Sequence, residues 1–159
     1  SLYNEMHLEM GKSYRELSKI IIENKDFKHV SEIVLKTIKI FSKYYKPDSS
    51  DILHEYSRLH KCLGEEYFLS CTELDYEAKY LTLIKFSKGD KRKIKQYISE
   101  LLSISIETKK DEIETKIKIS KSLPNKEEGL LYLEEISYGN IDNFDKYKIF
   151  SQIYYLKYY

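Results

Sequence analysis

The histidine at position 54 is the residue of this chain that comes nearest to a known catalytic motif. His54-Glu55 matches the start of the His-Glu-x-x-His pattern, in which two histidines on one helix face bind zinc and the glutamate acts as a general base. The second histidine would have to occupy position 58, where the sequence has Arg58. The zinc interpretation therefore fails, and we expect neither a metal nor a cofactor.

Cysteine and carboxylate spacings also point away from catalysis. Cys62 and Cys71 form neither a Cys-x-x-Cys pair nor a cluster with histidines, which predicts two reduced, half-buried thiols in a cytoplasmic protein. Adjacent carboxylates such as Glu65-Glu66 leave a helix at different angles, so solvated surfaces explain them. The sequence has no glycine-rich phosphate loop and no nucleophile elbow. We expect no catalytic residue and no enzymatic activity.

The composition excludes several classes of partner. Hydrophobic residues make up 42% of the chain and charged residues 33%, as in a folded domain. With 27 basic and 26 acidic residues, the chain lacks the positive field that direct nucleic-acid binding needs. No stretch approaches the roughly 18 apolar residues of a membrane span. The chain opens with Ser1-Leu2 and no Met, so we expect a piece of a longer protein.

Apolar residues recur at helical spacing through the first part of the chain. The apolar stripe of the first predicted helix consists of Tyr3, Met6, Met10, Tyr14, Leu17 and Ile21. Asp26 can cap a second helix. The stripe of that helix consists of Phe27, Val30, Val34, Ile38, Phe41 and Tyr45. After a break at Pro47, either Ser50 or Asp51 can cap a third helix.

Capping residues separate the later helices. Gly64 either lies within one long helix or divides two shorter ones, and the sequence leaves both possibilities open. Helices are predicted to follow the caps Asp90 and Asn125, and the last helix of the chain is predicted to begin near Asp142. Gly139-Asn140 predicts a left-handed C-cap at the end of the helix before it. Short loops make consecutive helices antiparallel. The sequence thus predicts an all-α domain over residues 1–159, with seven to nine helices in a closed bundle or a stack of hairpins.

Three helix starts resemble one another. Asp26, Asp90 and Asn125 are each followed by a charged first turn. Four positions after these caps stand small or apolar residues, namely Val30, Ile94 and Gly129. The caps are 64 and 35 positions apart, close to two units and one unit of a roughly 34-residue period. This pattern resembles the second helix of a tetratricopeptide repeat.

First-helix features of that family occur as well. Met10-Gly11-x-x-Tyr14 and Leu63-Gly64-x-x-Tyr67 are similar to its Leu-Gly-x-x-Tyr motif, although the chain has no Trp. The resemblance implies antiparallel hairpins stacked as a right-handed solenoid, whose first helices line a groove for peptides. The chain looks most like the sensor domains of peptide-pheromone receptors in Gram-positive bacteria. That likeness implies the peptide- or protein-binding part of a transcriptional regulator.

The resemblance also implies which side chains face the groove. Among these positions are the apolar residues Leu8, Phe68 and Leu83. The peptide-binding residues implied are Lys12, Arg15, Arg58, Lys61, Tyr76 and Lys79. The basic side chains would bind a peptide carboxylate or backbone carbonyls, and the aromatic ring would add a flat apolar contact. In the alternative interpretation, the long basic side chains only cover helix surface.

The last helix predicts a different kind of contact. Its spacing places Tyr147, Phe150, Tyr154 and Tyr158 on one face, and another face carries Ile149, Ile153 and Leu156. A helix that is apolar on two sides needs two neighbours. We therefore expect the aromatic face to meet either further repeats or a second copy in a homodimer. The alternative function is a structural or oligomerisation domain without a peptide ligand, which would expose its largest apolar patch at an end of the stack.

Overall fold

A computed structural model describes residues 1–24 and 27–159 of the chain. Every regular element in these ranges is an α-helix, and they contain no strand. The helices are α1 (Leu2–Glu23), α2 (Phe27–Phe41), α3 (Ser50–Leu63), α4 (Glu65–Ser70), α5 (Tyr76–Lys85), α6 (Lys91–Glu107), α7 (Glu112–Ser122), α8 (Lys126–Ser137) and α9 (Asn143–Tyr158). The prediction of an all-α chain is confirmed, whereas the right-handed solenoid stays a prediction. No helix among these residues is both long and apolar enough to cross a membrane.

The helices form two compact units, Ser1–Thr82 and Leu83–Tyr159. In the first unit, α2 packs against both α1 and α3, and α3 also contacts α4. In the second unit, α7 packs against α6 and α8, and α9 packs against α8 and α7. These helices therefore pack mainly on their neighbours in sequence, as short connections require.

The apolar stripe predicted for α2 is buried from Val30 to Phe41, whereas its last member, Tyr45, lies beyond the end of the helix and is half-buried. Val30, Val34 and Phe41 have no exposed surface, and Ile38 is almost as well covered. The predicted cap at Asp26 lies outside the described residues, and so does the side chain of Phe27. From Val30 to Phe41 the helix presents one apolar face, and this face forms much of the core of the first unit.

The buried face of α1 differs from the predicted one. Four members of the predicted stripe, Tyr3, Met6, Met10 and Leu17, are exposed, and the other two, Tyr14 and Ile21, are half-buried. The buried positions are Gly11 and Ser18. A Cβ atom at Gly11 would lie 2.9 Å from side-chain atoms of Ile40 and Phe41. The helices α1 and α2 thus approach each other through small residues, and this leaves the large side chains of α1 on the outside.

The predicted caps agree with the structure at some helix ends and not at others. Asp90, Asn125 and Asp142 cap α6, α8 and α9, as predicted. The third helix is capped by Ser49, whose Oγ accepts from the N–H of Ile52, and not by Ser50 or Asp51. The left-handed C-cap predicted at Gly139 is wrong, because α8 ends at Tyr138 in a right-handed conformation and Gly139 has no positive φ.

Gly64 divides two helices. Its φ of 82° and ψ of 162° end α3 and start α4, in a region that is essentially restricted to glycine. The buried Tyr56 hydroxyl accepts from the N–H of Asp75 at 3.0 Å, and its ring contacts Phe68 edge-on. Burial raises the pKa of Tyr56 to about 12. These contacts connect α3 with α4 and with the segment that leads into α5.

Candidate functional site

The surface shared by α1 and α3 carries a cluster of charged side chains. Both helices pack on α2, and an Arg15 nitrogen lies 3.7 Å from a carboxylate oxygen of Asp51. The Arg15 guanidinium also lies 5.6 Å from the centre of the Phe41 ring, which is cation–π distance. Further along α3, Glu55 and Arg58 form an ion pair. We call Arg15, Asp51, Glu55 and Arg58 the α1/α3 cluster.

Glu55 is the most deeply buried charged residue of this cluster. Its side chain has no exposed surface, and Oε1 pairs with Arg58. In the part of the chain that the structure describes, Oε2 has no hydrogen-bond partner. Burial raises the pKa of Glu55, and the positive charges of Arg58, Arg15 and Lys19 oppose that shift. The loss of hydration outweighs the attraction, so the pKa of Glu55 is higher in the folded chain than in the unfolded chain.

A second polar atom of the cluster also has no partner. The Nε of Arg15 is buried without a hydrogen bond. It lies 3.7 Å from an oxygen of Glu16, which is too long for a hydrogen bond. Helix α1 thus presents a donor without an acceptor, the Nε of Arg15, and helix α3 presents an acceptor without a donor, the Oε2 of Glu55.

The remaining predicted peptide-binding residues are in varied environments. Lys12 forms a 3.1 Å ion pair with Glu9 on its own helix, and Lys61 is exposed. Tyr76 is half-buried. Lys79 is buried, and its ammonium donates to the carbonyl oxygens of Leu69 at 3.0 Å and Cys71 at 2.8 Å. The structure therefore brings together Arg15 and Arg58, and it holds Lys79 inside the chain.

The apolar positions predicted for the groove are not available as a contact surface. Phe68 is fully buried, Leu83 is 3% exposed, and Leu8 is half-buried. Phe68 packs edge-on against His60 and Tyr56, so it belongs to the core that α3 and α4 share. The expectation that Phe68 and Leu83 face an open groove is wrong, because both side chains fill core positions.

The four predicted interface residues of α9 lie on an exposed face. Tyr147, Phe150, Tyr154 and Tyr158 are between 54% and 71% exposed. The other side of the helix is covered, since Ile149 is fully buried. The spacing therefore separated the two faces as predicted, and the partner of the aromatic face stays a prediction.

The second unit also contains a cavity of about 750 Å³ between the start of α7, the end of α8 and the start of α9. Its charged lining consists of Asp111, Glu112, Lys116, Glu135, Asp142 and Asp145. Asp111 and Asp142 cap helices and already accept backbone N–H groups. Loss of hydration and then the neighbouring charges of Asp142 and Asp111 raise the pKa of Asp145. Sequence reasoning missed this convergence, because only the packing of α7 against α9 brings their caps together.

One local signal for the α1/α3 cluster was present in the sequence. Glu55 and Arg58 are three positions apart, so they share one face of a helix. The contribution of Arg15 has no such signal, since it comes from another helix 40 residues away in sequence. Within residues 1–24 and 27–159, no group of three or more His, Cys, Asp or Glu side chains has an arrangement that could hold a metal ion.

Comparison with known proteins found no matching family model, no matching curated protein and no matching solved structure.

Proposed function

We propose that this chain is a polypeptide-binding helical module and that it binds its ligand at the α1/α3 cluster. The observation that supports the proposal is the fully buried Glu55, which has one carboxylate oxygen without a partner and lies beside two guanidinium groups. Removing an ion from water costs several kcal/mol, and apolar residues often replace buried ion pairs at no loss of stability. A buried charge that weakens the fold is the kind of local conflict that marks functional sites.

The cluster has the chemistry to recognise a polypeptide main chain. A peptide group carries an N–H that can donate to Glu55 Oε2 and a carbonyl that can accept from Arg15 Nε. These are the two buried atoms of the cluster that lack partners. Both are covered, so binding requires a rotation of the Arg15 or Arg58 side chain, each of which is partly exposed.

The resemblance to tetratricopeptide arrays supports the same surface. In that family the first helices of successive hairpins line the peptide groove, and α1 and α3 correspond to two first helices. Lys12 and Lys61 belong to the same helices, and their positive charge would favour a peptide that carries a carboxylate. By the same resemblance, the module would be the sensor or interaction part of a bacterial regulator.

The test uses short randomised peptides displayed on phage and selected for binding to the chain. The selected peptides are synthesised and titrated against the wild type and against Glu55→Gln and Arg15→Gln. We expect each substitution to weaken binding at least about tenfold, which corresponds to ~1.4 kcal/mol.

Lys39→Gln is the matched control, because this exposed residue lies on α2 and outside the cluster. Circular dichroism establishes that each variant keeps its helices. The proposal is wrong if no peptide is selected, or if the selected peptides bind all of the variants as tightly as they bind the wild type.

A further inference from the structure

The outward face of α9 carries a continuous row of large aromatic side chains. Its members, each between 54% and 71% exposed, are Phe144, Tyr147, Phe150, Tyr154 and Tyr158. On the opposite side, Ile149 and Ile153 belong to a core cluster with Leu133 and Ile113. A helix that is apolar on two sides needs a neighbour on each of them. Among the residues that the structure describes, only one side of α9 is covered, so the aromatic face has the composition of an interface.

Formal charges lie only at the two edges of this aromatic face. The other residues between the edges, Asn143 and Ser151, are neutral and exposed. Lys148 lies at one edge, with its ammonium 4.7 Å from the centre of the Phe144 ring and within 4 Å of the carboxylates of Asp111 and Glu114. The exposed Lys157 lies at the other edge, beside Phe150. Between its edges the face has no charge that would select a charged peptide. Aromatic rings instead pair with one another in edge-on or offset geometry, so the face is complementary to itself.

The exposed area is close to what a second copy would bury. An aromatic side chain buries about 200 Å², so the five partly exposed residues offer about 600 Å² on each copy. A standard interface removes about 800 Å² from each partner, and Asn143 and Ser151 can supply part of the remainder. We propose that two copies of this chain pair about a two-fold axis through the aromatic faces of their α9 helices. This pairing does not depend on peptide binding at the α1/α3 cluster.

Sedimentation equilibrium over a range of protein concentrations tests the pairing. We expect the 159-residue chain to dimerise, and we expect Phe150→Ser combined with Tyr154→Ser to weaken the dimer at least about 100-fold, because buried aromatic side chains are typical hot spots. The matched control is Met6→Ser combined with Leu17→Ser, which removes two exposed apolar side chains from α1 and should leave the dimer unchanged. A chain that is monomeric at every concentration overturns the proposal, and so does a dimer that survives the α9 substitutions.

Cross-linking then locates the contact. Ser151 lies near the middle of the aromatic face, and a residue close to a two-fold axis faces its own copy. Ser151→Cys, in a chain that also carries Cys62→Ser and Cys71→Ser, should form disulfide-linked dimers under mild oxidation. Ser99→Cys on the exposed side of α6 should remain monomeric. Equal cross-linking at both positions overturns the assignment to α9, as does the absence of a cross-link at position 151 in a sample that sediments as a dimer.

Discussion

Glu55 is completely buried, and only one of its two carboxylate oxygens pairs with Arg58. Burial raises its pKa above the ordinary value of a glutamate, despite the opposing charge of Arg58. Between the unfolded and folded pKa values the folded chain binds more protons than the unfolded chain. The free energy of unfolding therefore falls as the pH rises through that interval. Stability is thus linked to the protonation of one residue in the proposed binding site.

Glu55→Gln should remove this dependence on pH. The variant cannot ionise, so its free energy of unfolding, relative to the wild type, should increase as the pH rises above the ordinary pKa of a glutamate, about 4.3. Urea unfolding at several pH values measures the difference. Glu32→Gln is the matched control, because Glu32 is exposed on α2 and its charge is not removed from water on folding. A difference between Glu55→Gln and wild type that stays constant as the pH rises would contradict the prediction.

Lys79 is a structural donor at the end of α4, and its role can be measured separately from any binding. Lys79→Met keeps the length of the side chain and removes both hydrogen bonds to the carbonyls of Leu69 and Cys71. Two carbonyls without donors should cost about 1–3 kcal/mol in chemical unfolding. Lys61→Met, at an exposed position on α3, should change stability by less than about 0.5 kcal/mol. Equal effects of the two substitutions would show that the hydrogen bonds of Lys79 do not stabilise the fold.

Among the elements, the junction between α3 and α4 depends on a single backbone conformation. A Cβ at Gly64 would meet no atom within 4 Å, so the cost of a side chain there is conformational and not steric. Gly64→Ala should therefore destabilise the chain by about 1–3 kcal/mol. Thermal unfolding followed by circular dichroism provides the measurement, and Ser70→Ala at the exposed end of α4 is the control. An unchanged melting temperature for Gly64→Ala would mean that α3 and α4 can join without the break.

The contact between α7 and α8 depends on a glycine for the opposite reason. A Cβ at Gly129 would lie 2.6 Å from the backbone oxygen of Ser120, and the backbone cannot move aside without shifting a helix. Alanine is the better helix former by about 1 kcal/mol, yet the forced separation should cost more. We expect Gly129→Ala to lower the free energy of unfolding by about 1–3 kcal/mol, whereas Ser103→Ala on the exposed side of α6 should not lower it. Greater stability of Gly129→Ala would show that propensity outweighs packing here.

The elements could be predicted from the sequence to different extents. The buried face of α2 could be predicted from the spacing of Val30, Val34 and Phe41, because α2 contacts both α1 and α3 through its own large apolar side chains. The same reasoning fails for α1, where Gly11 and Ser18 allow close packing and the large residues point away. Periodicity shows that an apolar stripe exists, but it does not show whether small residues elsewhere on the helix form a closer contact.

In the whole molecule, the two proposed surfaces should respond differently to salt. Lys12 and Lys61 add positive charge on the helices of the α1/α3 cluster, so a roughly tenfold increase in NaCl should weaken the binding of a peptide that carries a carboxylate, because it shortens the Debye length. The α9 face carries formal charges only at its edges, so the same increase should leave the dimer unchanged or slightly stronger. Titrations and sedimentation in the same buffers compare the two effects. Salt-induced dissociation of the dimer would show that charges outside the aromatic face hold it together.

Long-range packing explains why the candidate site could be predicted only in part. The pair Glu55 and Arg58 has a local signature, and the aromatic face of α9 follows from a spacing of three and four residues. The burial of Lys79 depends instead on the carbonyl groups at the end of α4. The position of Arg15 depends on the packing of α1 and α3 against α2. Such contacts arise from tertiary packing, and the spacing of residues within one helix does not predict them.

The Tyr154 and Tyr158 rings, whose centres are 4.7 Å apart, also have a magnetic consequence. Each ring lies in the ring current of the other, so their proton resonances should be displaced from those of tyrosines without a ring neighbour. The chain has no Trp, so indole signals will not overlap them in a proton spectrum. A partner that packs on α9 would place its own groups against these rings, so the unlabelled protein would report the contact through its own chemical shifts.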